Sequence, residues 1–427
     1  MGKVLGELKE QFRNGQFDPV LKELYVSEDM IPGQRVRYEN ALNSFEELFG
    51  NKEVELYSAA GRSEIGGNHT DHQNGKVLAA SINLDAIAVA SRTKDCKVYL
   101  KSEGYEMLVI DLNHLGIVEE EKETTYALIR GVANGMKTRG YQIGGFEAYV
   151  SSSVLTGSGL SSSAAFEVLI GNIFSGMYNQ GALTSIEIAQ IGQEAENIYF
   201  GKPCGLMDQM ACSVGGMIYI DFADKKNPKV KKVDVNFSSF DHNLCIVDTK
   251  GSHADLTGEY AAIPEEMRAV AAYFGKELLC EVEETQFMKS IKEVRAFAGD
   301  RAVLRAIHWF TENKRVEAQV QALEVGAFNN FKSLIKASGD SSFKYLQNIY
   351  SNQNVKEQNV SLALAMSEQI LNGRGICRVH GGGFAGTIQA FVPSELVKEY
   401  KDSMEAVFGS GACYVLQIRA DGGRRVV

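Results

Sequence analysis

The amino-acid sequence predicts an α+β protein divided into two domains. With 427 residues, the chain is longer than one hydrophobic core usually serves. Strand-like stretches are common in its first half, whereas helical periodicity dominates the second. We therefore assign residues 1–225 to an N-terminal domain, which begins with an extension over about 1–35, and residues 226–427 to a C-terminal domain.

Hydrophobic periodicity and turn residues place the elements in order. In the first half, helices are predicted at 36–49, at 124–138, from the end of a small-residue loop to about 178, and at 186–200. Strands are predicted at 54–61, 76–91, 97–100, 106–112, 146–150 and 215–222. The lysine-rich segment 223–232 is predicted to be a hairpin turn near the domain boundary. In the second half, helices are predicted at 257–274, 284–298, 301–326, 328–338, 356–371 and 395–407, and strands at 376–380, 387–393 and 412–420.

Composition and charge narrow the class of protein. The net charge is −10 and no block of Lys or Arg stands out, which disfavours nucleic acid as a partner. No apolar run approaches the length of a membrane span, so no membrane partner is expected. The seven cysteines are scattered without a CxxC pair, which is typical of reduced thiols in a cytoplasm. The oligomeric state is open, and a monomer is compatible with the sequence.

Residues 154–171, VLTGSGLSSSAAFEVLIG, place small residues directly before an apolar helix. The segment lacks the Lys of a P-loop and the third Gly of a dinucleotide-binding loop. A backbone that approaches a ligand closely and leads into a helix N-terminus favours an anion, and phosphate suits it. A Ser/Gly linker is the alternative.

Residues 61–75, GRSEIGGNHTDHQNG, collect short polar side chains in a loop between two strands. Such a dense set of donors and acceptors suits a polyhydroxylated ligand. His69 and His72 could bind a metal, but no third ligand follows at metal spacing, which disfavours that alternative.

Two carboxylates and a glycine run complete the candidate site. Glu196 falls at the edge of an apolar helix face and needs a cation, an arginine or a proton as partner. Asp208 begins another apolar segment, where a helix N-cap is the alternative role. The glycines within 381–386, GGGFAG, permit close backbone approach or form a tight hairpin turn.

Taken together, these segments resemble the GHMP family of small-molecule kinases, and within it the galactokinases. The family's sugar motif GRVNLIGEHTDY is matched by GRSEIGGNHTDH, and its phosphate loop PxGGGLSSSAS by VLTGSGLSSSAA. Its QxAEHxxxGxxCGIMDQ is matched by QEAENIYFGKPCGLMDQ, and its GGGFGG by GGGFAG. These motifs occur in the family's order over about residues 54–393, which makes the resemblance specific.

The resemblance implies the two-lobed GHMP kinase fold, with a mixed-sheet N-terminal domain, a helix-rich α+β C-terminal domain and the active site between them. It implies ATP and Mg²⁺ as cofactors. Asp208 matches the catalytic carboxylate that accepts the proton of the anomeric hydroxyl, and Arg62 matches the arginine beside the transferred phosphoryl group. Ser163 and Glu196 match the magnesium ligands. The ATP loop is matched by Gly157, Ser158, Gly159, Leu160, Ser161, Ser162 and Ser163, and the sugar-binding residues by Asn68, His69, Thr70, Asp71 and Tyr260.

The resemblance implies a galactokinase, but the sugar motif departs from the family pattern. Asn68 replaces a Glu, His72 a Tyr and Gln73 an Asn, and the Asn68 amide is expected to contact the sugar near C6. Galactose is the expected substrate, and a related galacto-configured sugar such as galacturonate is the alternative. A non-catalytic regulator that binds sugar and ATP is disfavoured because the phosphate loop, Glu196 and Asp208 are all retained.

Overall fold

A computed structural model of the chain describes residues 2–154, 160–224, 227–251 and 256–427. Strands and helices are interspersed along these residues, and the strands form a mixed sheet and an antiparallel sheet. The predicted α+β class is therefore confirmed. No described helix is both long and apolar enough to cross a membrane.

The strands of the described residues follow the predicted order in most of the chain. They are β1 (Lys3–Val4), β2 (Glu53–Gly66), β3 (Lys76–Arg92), β4 (Lys97–Ser102), β5 (Met107–Asp111), β6 (Phe146–Ser152), β7 (Met217–Asp221), β8 (Lys229–Lys232), β9 (His242–Asp248), β10 (Ile376–His380), β11 (Thr387–Pro393), β12 (Cys413–Leu416) and β13 (Arg424–Arg425).

The α-helices of the described residues include two at the N-terminus that periodicity did not predict. They are α1 (Leu5–Arg13), α2 (Asp18–Tyr25), α3 (Ile31–Phe49), α4 (Thr125–Thr138), α5 (Ser162–Asn179), α6 (Ser185–Glu194), α7 (Met207–Val214), α8 (Thr257–Tyr273), α9 (Glu284–Lys289), α10 (Ile291–Ala298), α11 (Asp300–Glu324), α12 (Phe328–Ser341), α13 (Asn359–Leu371) and α14 (Val397–Phe408). Two of them continue into π-helical turns, α6 into Ala195–Phe200 and α12 into Ser342–Leu346.

The chain divides into two compact units. The first contains the described residues of Met1–Arg62, Ala80–Gly216 and Gln417–Val427, and the second those of Ser63–Ala79 and Met217–Leu416. The chain passes from the first unit to the second within β2 and returns within β3. The domain boundary at 225/226 stays a prediction. Relative to it, the second unit gains residues 63–79 and 217–224, and the first unit gains residues 417–427.

In the first unit, a mixed sheet has the strand order β1-β2-β3-β6-β4-β5, and β13 pairs with β2. Strand β4 pairs with β6 in parallel and with β5 antiparallel. The N-terminal helices belong to this core, because Phe12, Leu24 and Phe45 are buried in one cluster with Leu56 and Val89 of the sheet. The predicted N-terminal extension is thus a folded part of the unit.

In the second unit, an antiparallel sheet has the order β10-β11-β9-β12, and β7 pairs antiparallel with β8. One core lies between the four-stranded sheet and helices α13 and α14, and another joins α8, α10 and α11. Strand β9 was not predicted. Its residues 244–247 are buried on both faces, so they form a continuous apolar run without the alternation that identifies a half-exposed strand.

Candidate active site

Arg62 and Asp208 form a bidentate ion pair in the first unit. Arg62 lies in β2, and Asp208 lies in the first turn of α7. The arginine Nε donates to Asp208 Oδ1 and its Nη2 donates to Oδ2, both over 2.7 Å. The Arg62 side chain is 10% exposed and that of Asp208 is 29% exposed. The carboxylate is therefore held rigidly while part of its surface stays accessible.

The alternative role of Asp208 as a helix N-cap is wrong. The N-cap position of α7 belongs to Leu206, and no side chain in the described residues caps this helix. The Asp208 carboxylate instead accepts hydrogen bonds from Arg62 and from the hydroxyl of Ser161. A charged guanidinium is a stronger partner for a carboxylate than a backbone N–H group, which accounts for this orientation.

The environment keeps the Asp208 carboxylate ionised. Burial by itself would raise its pKa. The positive charge of Arg62 and the hydrogen bonds from Arg62 and Ser161 outweigh burial, so the pKa lies below the ordinary value of an aspartate. Asp208 is consequently an anion throughout the neutral pH range.

The start of helix α5 carries the hydroxyl-rich end of the predicted ATP loop. Gly157, Ser158 and Gly159 lie outside the described residues, which resume at Leu160. Leu160 is fully buried, and its carbonyl accepts the Arg62 backbone N–H over 3.2 Å. Ser161, at the N-cap, has a φ of +59° and directs its hydroxyl to Asp208. Among the described residues no side chain caps α5, and the first-turn N–H groups of such a helix attract anions.

Ser163 and Glu196, the predicted magnesium ligands, are in direct contact. The Ser163 hydroxyl donates to Glu196 Oε1 over 3.0 Å, and Gln209 Nε2 donates to Oε2 over 2.7 Å. Glu196 is 3% exposed and lies on the π-helical turn after α6, a feature that is frequent at functional sites. The Lys202 ammonium, 3.5 Å from Oε1, supplies the cation that this buried carboxylate requires.

Sequence reasoning missed Glu167, which is fully buried in α5. Its Oε2 accepts from Gln209 Nε2 over 3.0 Å, so one amide joins the carboxyl groups of Glu167 and Glu196. Burial, and next the negative charge of Glu196, raise the pKa of Glu167 well above its ordinary value. The signal was a lone charged residue within the apolar run FEVLIG.

In the second unit, the sugar motif forms hydrogen bonds with side-chain amides and backbone groups of the surrounding protein. Asn68 is fully buried, and its Nδ2 donates to Glu64 Oε1 over 3.1 Å and to the Gly381 carbonyl over 2.7 Å. Its Oδ1 accepts from Asn348 Nδ2 over 2.9 Å and from Ser342 over 3.2 Å. These contacts with protein groups use both donors and the acceptor of the amide, and a contact of Asn68 with the sugar stays a prediction.

Thr70 and Asp71 continue the motif in different environments. The Thr70 hydroxyl is buried and lies 2.9 and 2.6 Å from the carbonyls of Gly67 and Lys76, while its own carbonyl accepts from Trp309 Nε1 over 3.1 Å. Asp71 begins a short 3₁₀ turn, and its Oδ1 accepts the His72 backbone N–H over 3.0 Å. Thr70 therefore braces the loop, whereas the Asp71 carboxylate lies nearer its surface, with 14% of its side chain exposed.

His69 presents a polar atom that the described protein does not use. Its Nε2 lies 3.1 Å from the Gly382 carbonyl, so Nε2 carries the hydrogen and Nδ1 is an acceptor. Burial, and next the neighbouring His72, lower the pKa of His69 to about 3, so the ring is neutral. Among the described residues no group donates to the buried Nδ1 atom. This atom is available to accept a hydrogen bond from a ligand hydroxyl.

The glycine-rich segment is both a hairpin connection and a site of close backbone approach. Strands β10 and β11 pair antiparallel up to His380 and Thr387. Gly383 has a φ of +82°, and a Cβ there would lie 1.9 Å from the Asn348 carbonyl oxygen. A Cβ on Gly382 would lie 2.7 Å from the Tyr260 ring. The Tyr260 hydroxyl donates to the Gly383 carbonyl over 2.9 Å, so the phenol is anchored on this turn.

Two family models match the chain. The GHMP kinases N terminal domain matches residues 127–216, and the galactokinase galactose-binding signature matches residues 43–92. Similar proteins include the galactokinase of Mannheimia succiniciproducens, 30% identical over 84% of this chain and 90% of that protein. The galactokinase of Streptomyces coelicolor is 26% identical over 90% of this chain and 97% of that protein.

The chain is also similar to solved structures. The crystal structure of Lactococcus lactis galactokinase complexed with galactose is similar with a TM-score of 0.76 and 26% identity, covering 91% of this chain and 100% of that one. A crystal structure of mevalonate kinase, with a TM-score of 0.59 and 17% identity, covers 85% of this chain and 98% of the other and shares the fold alone. The predicted GHMP kinase fold is confirmed.

Proposed function

Since the chain belongs to the galactokinase family of GHMP kinases, we propose that it transfers the γ-phosphoryl group of ATP to the anomeric hydroxyl of galactose. It is a phosphotransferase with an alcohol group as acceptor. The observation that carries the proposed chemistry is the Arg62–Asp208–Ser161 arrangement, in which an ionised carboxylate is oriented by a charged and a neutral donor.

Asp208 is the proposed base. Its carboxylate stays ionised because Arg62 and Ser161 stabilise the charged form, and its accessible surface leaves room for a sugar hydroxyl. Accepting the proton of the anomeric hydroxyl raises the nucleophilicity of that oxygen as its bond to phosphorus forms. Arg62 fixes the carboxylate and places positive charge beside the reacting oxygen, where negative charge develops.

The nucleotide side of the site is proposed at the start of α5. Gly157 to Ser163, of which Leu160 to Ser163 are described, would hold the phosphates of ATP by backbone N–H groups. Ser163 and Glu196 fit Mg²⁺, because a hydroxyl and a carboxylate oxygen 3.0 Å apart are the hard donors that this ion prefers. Bound Mg²⁺ would neutralise phosphate charge. Within the described residues no cluster of three or more His, Cys, Asp or Glu side chains offers another metal site.

On the sugar side, His69, Asp71 and Tyr260 are the proposed contacts. A neutral imidazole acceptor and a carboxylate suit the hydroxyl groups of a hexose. Thr70 stabilises the loop that carries these residues through hydrogen bonds to two backbone carbonyls, and Asn68 stabilises it through a hydrogen bond to the Gly381 carbonyl. The case for galacturonate rested on an Asn68 amide facing C6. Because hydrogen bonds to protein groups use both donors and the acceptor of this amide, galactose is the substrate we propose.

A coupled assay of ADP release over a panel of hexoses and hexuronic acids tests this function. We expect ATP-dependent turnover with galactose and a kcat/KM at least tenfold lower with glucose, mannose and galacturonate, because a hydrogen-bonding site rejects a hydroxyl placed wrongly. Turnover of galacturonate above that of galactose would overturn the substrate assignment. A chain that binds galactose and ATP without turnover would favour the regulator.

The cytoplasmic location remains a prediction, supported by seven cysteines that are all free of disulfides. Galactose and ATP are the proposed small-molecule partners, and the prediction of no nucleic-acid partner rests on the charge pattern alone.

A further inference from the structure

Glu64 and Asn68 hold a carboxylate and an amide in the reverse order of the family motif. GRVNLIGEHTDY has Asn in its fourth position and Glu in its eighth, whereas GRSEIGGNHTDH has Glu64 and Asn68 there. We infer that this is a compensated exchange, in which Glu64 supplies the buried carboxylate and Asn68 positions the turn Gly381–Gly383. The consequence for sugar binding rests on the proposed function, but the exchange itself does not.

The two exchanged residues are in direct contact. Asn68 Nδ2 donates to Glu64 Oε1 over 3.1 Å, and both residues are buried. Glu64 forms an ion pair with Arg378, whose side chain is fully buried. The same guanidinium donates to the carbonyls of Ile65 and Val379 over 3.0 and 2.8 Å. A buried arginine needs a carboxylate partner, and in this chain position 64 provides it.

Position 68 can then carry only a neutral group that donates and accepts. A carboxylate there would face the carboxylate of Glu64 and the carbonyl oxygen of Gly381, both acceptors, at positions where Asn68 now donates. An amide satisfies both acceptors and still accepts from Asn348 and Ser342. Glu64 therefore explains why the Glu that the family has at the eighth position is absent here.

The amide also fixes the turn on which the proposed sugar residues are anchored. Asn68 holds the Gly381 carbonyl directly, and Asn348 Nδ2 donates to the Gly382 carbonyl over 3.2 Å. His69 donates to the Gly382 carbonyl and Tyr260 to the Gly383 carbonyl. Asn68 is thus a positioning residue that acts through the turn, and losing its donors would release the groups that bind sugar.

A double-mutant cycle on thermal stability, measured without substrates, tests the exchange. Asn68→Glu adds a second buried carboxylate, and Glu64→Asn leaves Arg378 without its partner, so we expect each single variant to lose about 5 °C or more in Tm. The double variant Glu64→Asn/Asn68→Glu should recover roughly half of the summed loss, because it restores one carboxylate and one amide. Strict additivity, or a double variant no more stable than the worse single, overturns the exchange.

The matched control is the same substitution at the same spacing on helix α3. Glu39→Asn with Asn43→Glu exchanges residues that are only partly buried, and Glu39 pairs with Arg13, which is largely exposed. We expect its Tm to change little and its single effects to add. If the control double variant recovered an equal part of its Tm loss, the recovery in the Glu64/Asn68 cycle would be due to general charge effects. That result would contradict the inference.

A kinetic measurement tests the positioning role. Asn68→Asp keeps the side-chain shape but removes both N–H donors, so KM for galactose should rise about tenfold while KM for ATP stays unchanged. Equal changes in both KM values, or none, contradict the positioning role. If the wild-type chain does not phosphorylate galactose, the proposed function fails, and the stability cycle still decides the exchange.

Discussion

Two regions of the molecule use different interactions: the Asp208 cluster of the first unit, which comprises Arg62, Asp208, Glu196 and Lys202, and the sugar motif of the second unit. Around Asp208, charged groups meet in ion pairs, with Arg62 on Asp208 and Lys202 on Glu196. Around the sugar motif, neutral amides and a neutral imidazole hold the backbone carbonyls of the turn, and the buried Glu64–Arg378 pair holds the Asn68 amide. Transfer of a phosphoryl group requires control of charge, whereas recognition of a neutral sugar requires fixed donors and acceptors. Substitutions should therefore affect kcat in the first region and sugar KM in the second.

The largest effect is expected from Asp208→Asn. Loss of the proton acceptor should lower kcat by ~10²–10⁴-fold while KM for galactose changes little, and the Tm should fall by a few degrees because Arg62 loses its carboxylate partner. Asp300→Asn is the matched control, because Asp300 also lies in the first turn of a helix and pairs with an arginine, but at an exposed position. Steady-state kinetics on both variants separate the loss of the proton acceptor, which should lower kcat only in Asp208→Asn, from the loss of an ion pair, which both variants share. Wild-type turnover by Asp208→Asn would show that this carboxylate is structural.

Arg62→Met should lower kcat by roughly 10²–10³-fold, because a fixed donor near the developing charge is lost. The substitution should also shift the pH dependence of kcat/KM. Arg62 holds the pKa of Asp208 below its ordinary value, so the wild-type rate should not fall on acidification until well below neutral pH. Without Arg62, burial raises that pKa, and the acid limb of kcat/KM should shift to higher pH. Arg35→Met, which breaks a bidentate pair with Asp18, should leave the profile unchanged.

Glu196→Gln should raise the Mg²⁺ concentration needed for half-maximal activity, since a carboxylate ligand becomes a neutral amide. Ser163→Ala should act in the same direction. If both residues hold one ion, the double variant should lose less than the sum of the single losses. Glu194→Gln, at an exposed position two residues before Glu196, is the control. Additive losses in a Mg²⁺ titration would contradict a shared ion.

The smallest effect is expected from His69→Phe, which removes one neutral acceptor from the sugar side. A neutral hydrogen bond contributes about 1 kcal/mol, so KM for galactose should rise about fivefold, with kcat nearly unchanged. His114→Gln, at an exposed position of the first unit, should change neither constant. A fall in kcat larger than the rise in KM would break the division between the two regions.

The sequence predicted the elements with strong periodicity and the residues of short motifs, but it did not predict their long-range partners. Ser163 and Glu196, which the family motifs match to magnesium ligands, are in contact, and their role as ligands stays a prediction. The Asp208 side chain binds Arg62 and Ser161, which lie 146 and 47 residues away, and no local pattern reveals such contacts. For this reason local reasoning left a helix N-cap open as the alternative role of Asp208.

Buried polar residues were the signal most easily missed. Glu167 and Arg378 each interrupt an apolar stretch, and such residues always need a partner. The Asn68 amide is expected to contact the sugar because its position matches a sugar-binding residue of the family motif. Of its partners, Asn348 and Gly381 lie 280 and 313 residues away along the chain, whereas Glu64 lies only four residues away. Only the folded chain reveals that the amide faces protein.

The position of the phosphate in the reaction product tests the central claim most directly. With galactose and ATP, the ³¹P NMR spectrum of the product should show the phosphorus coupled to the anomeric proton, and Asp208→Asn should form this product at least a hundredfold more slowly. Phosphate on another oxygen of the sugar, or equal product formation by Asp208→Asn, would contradict the account.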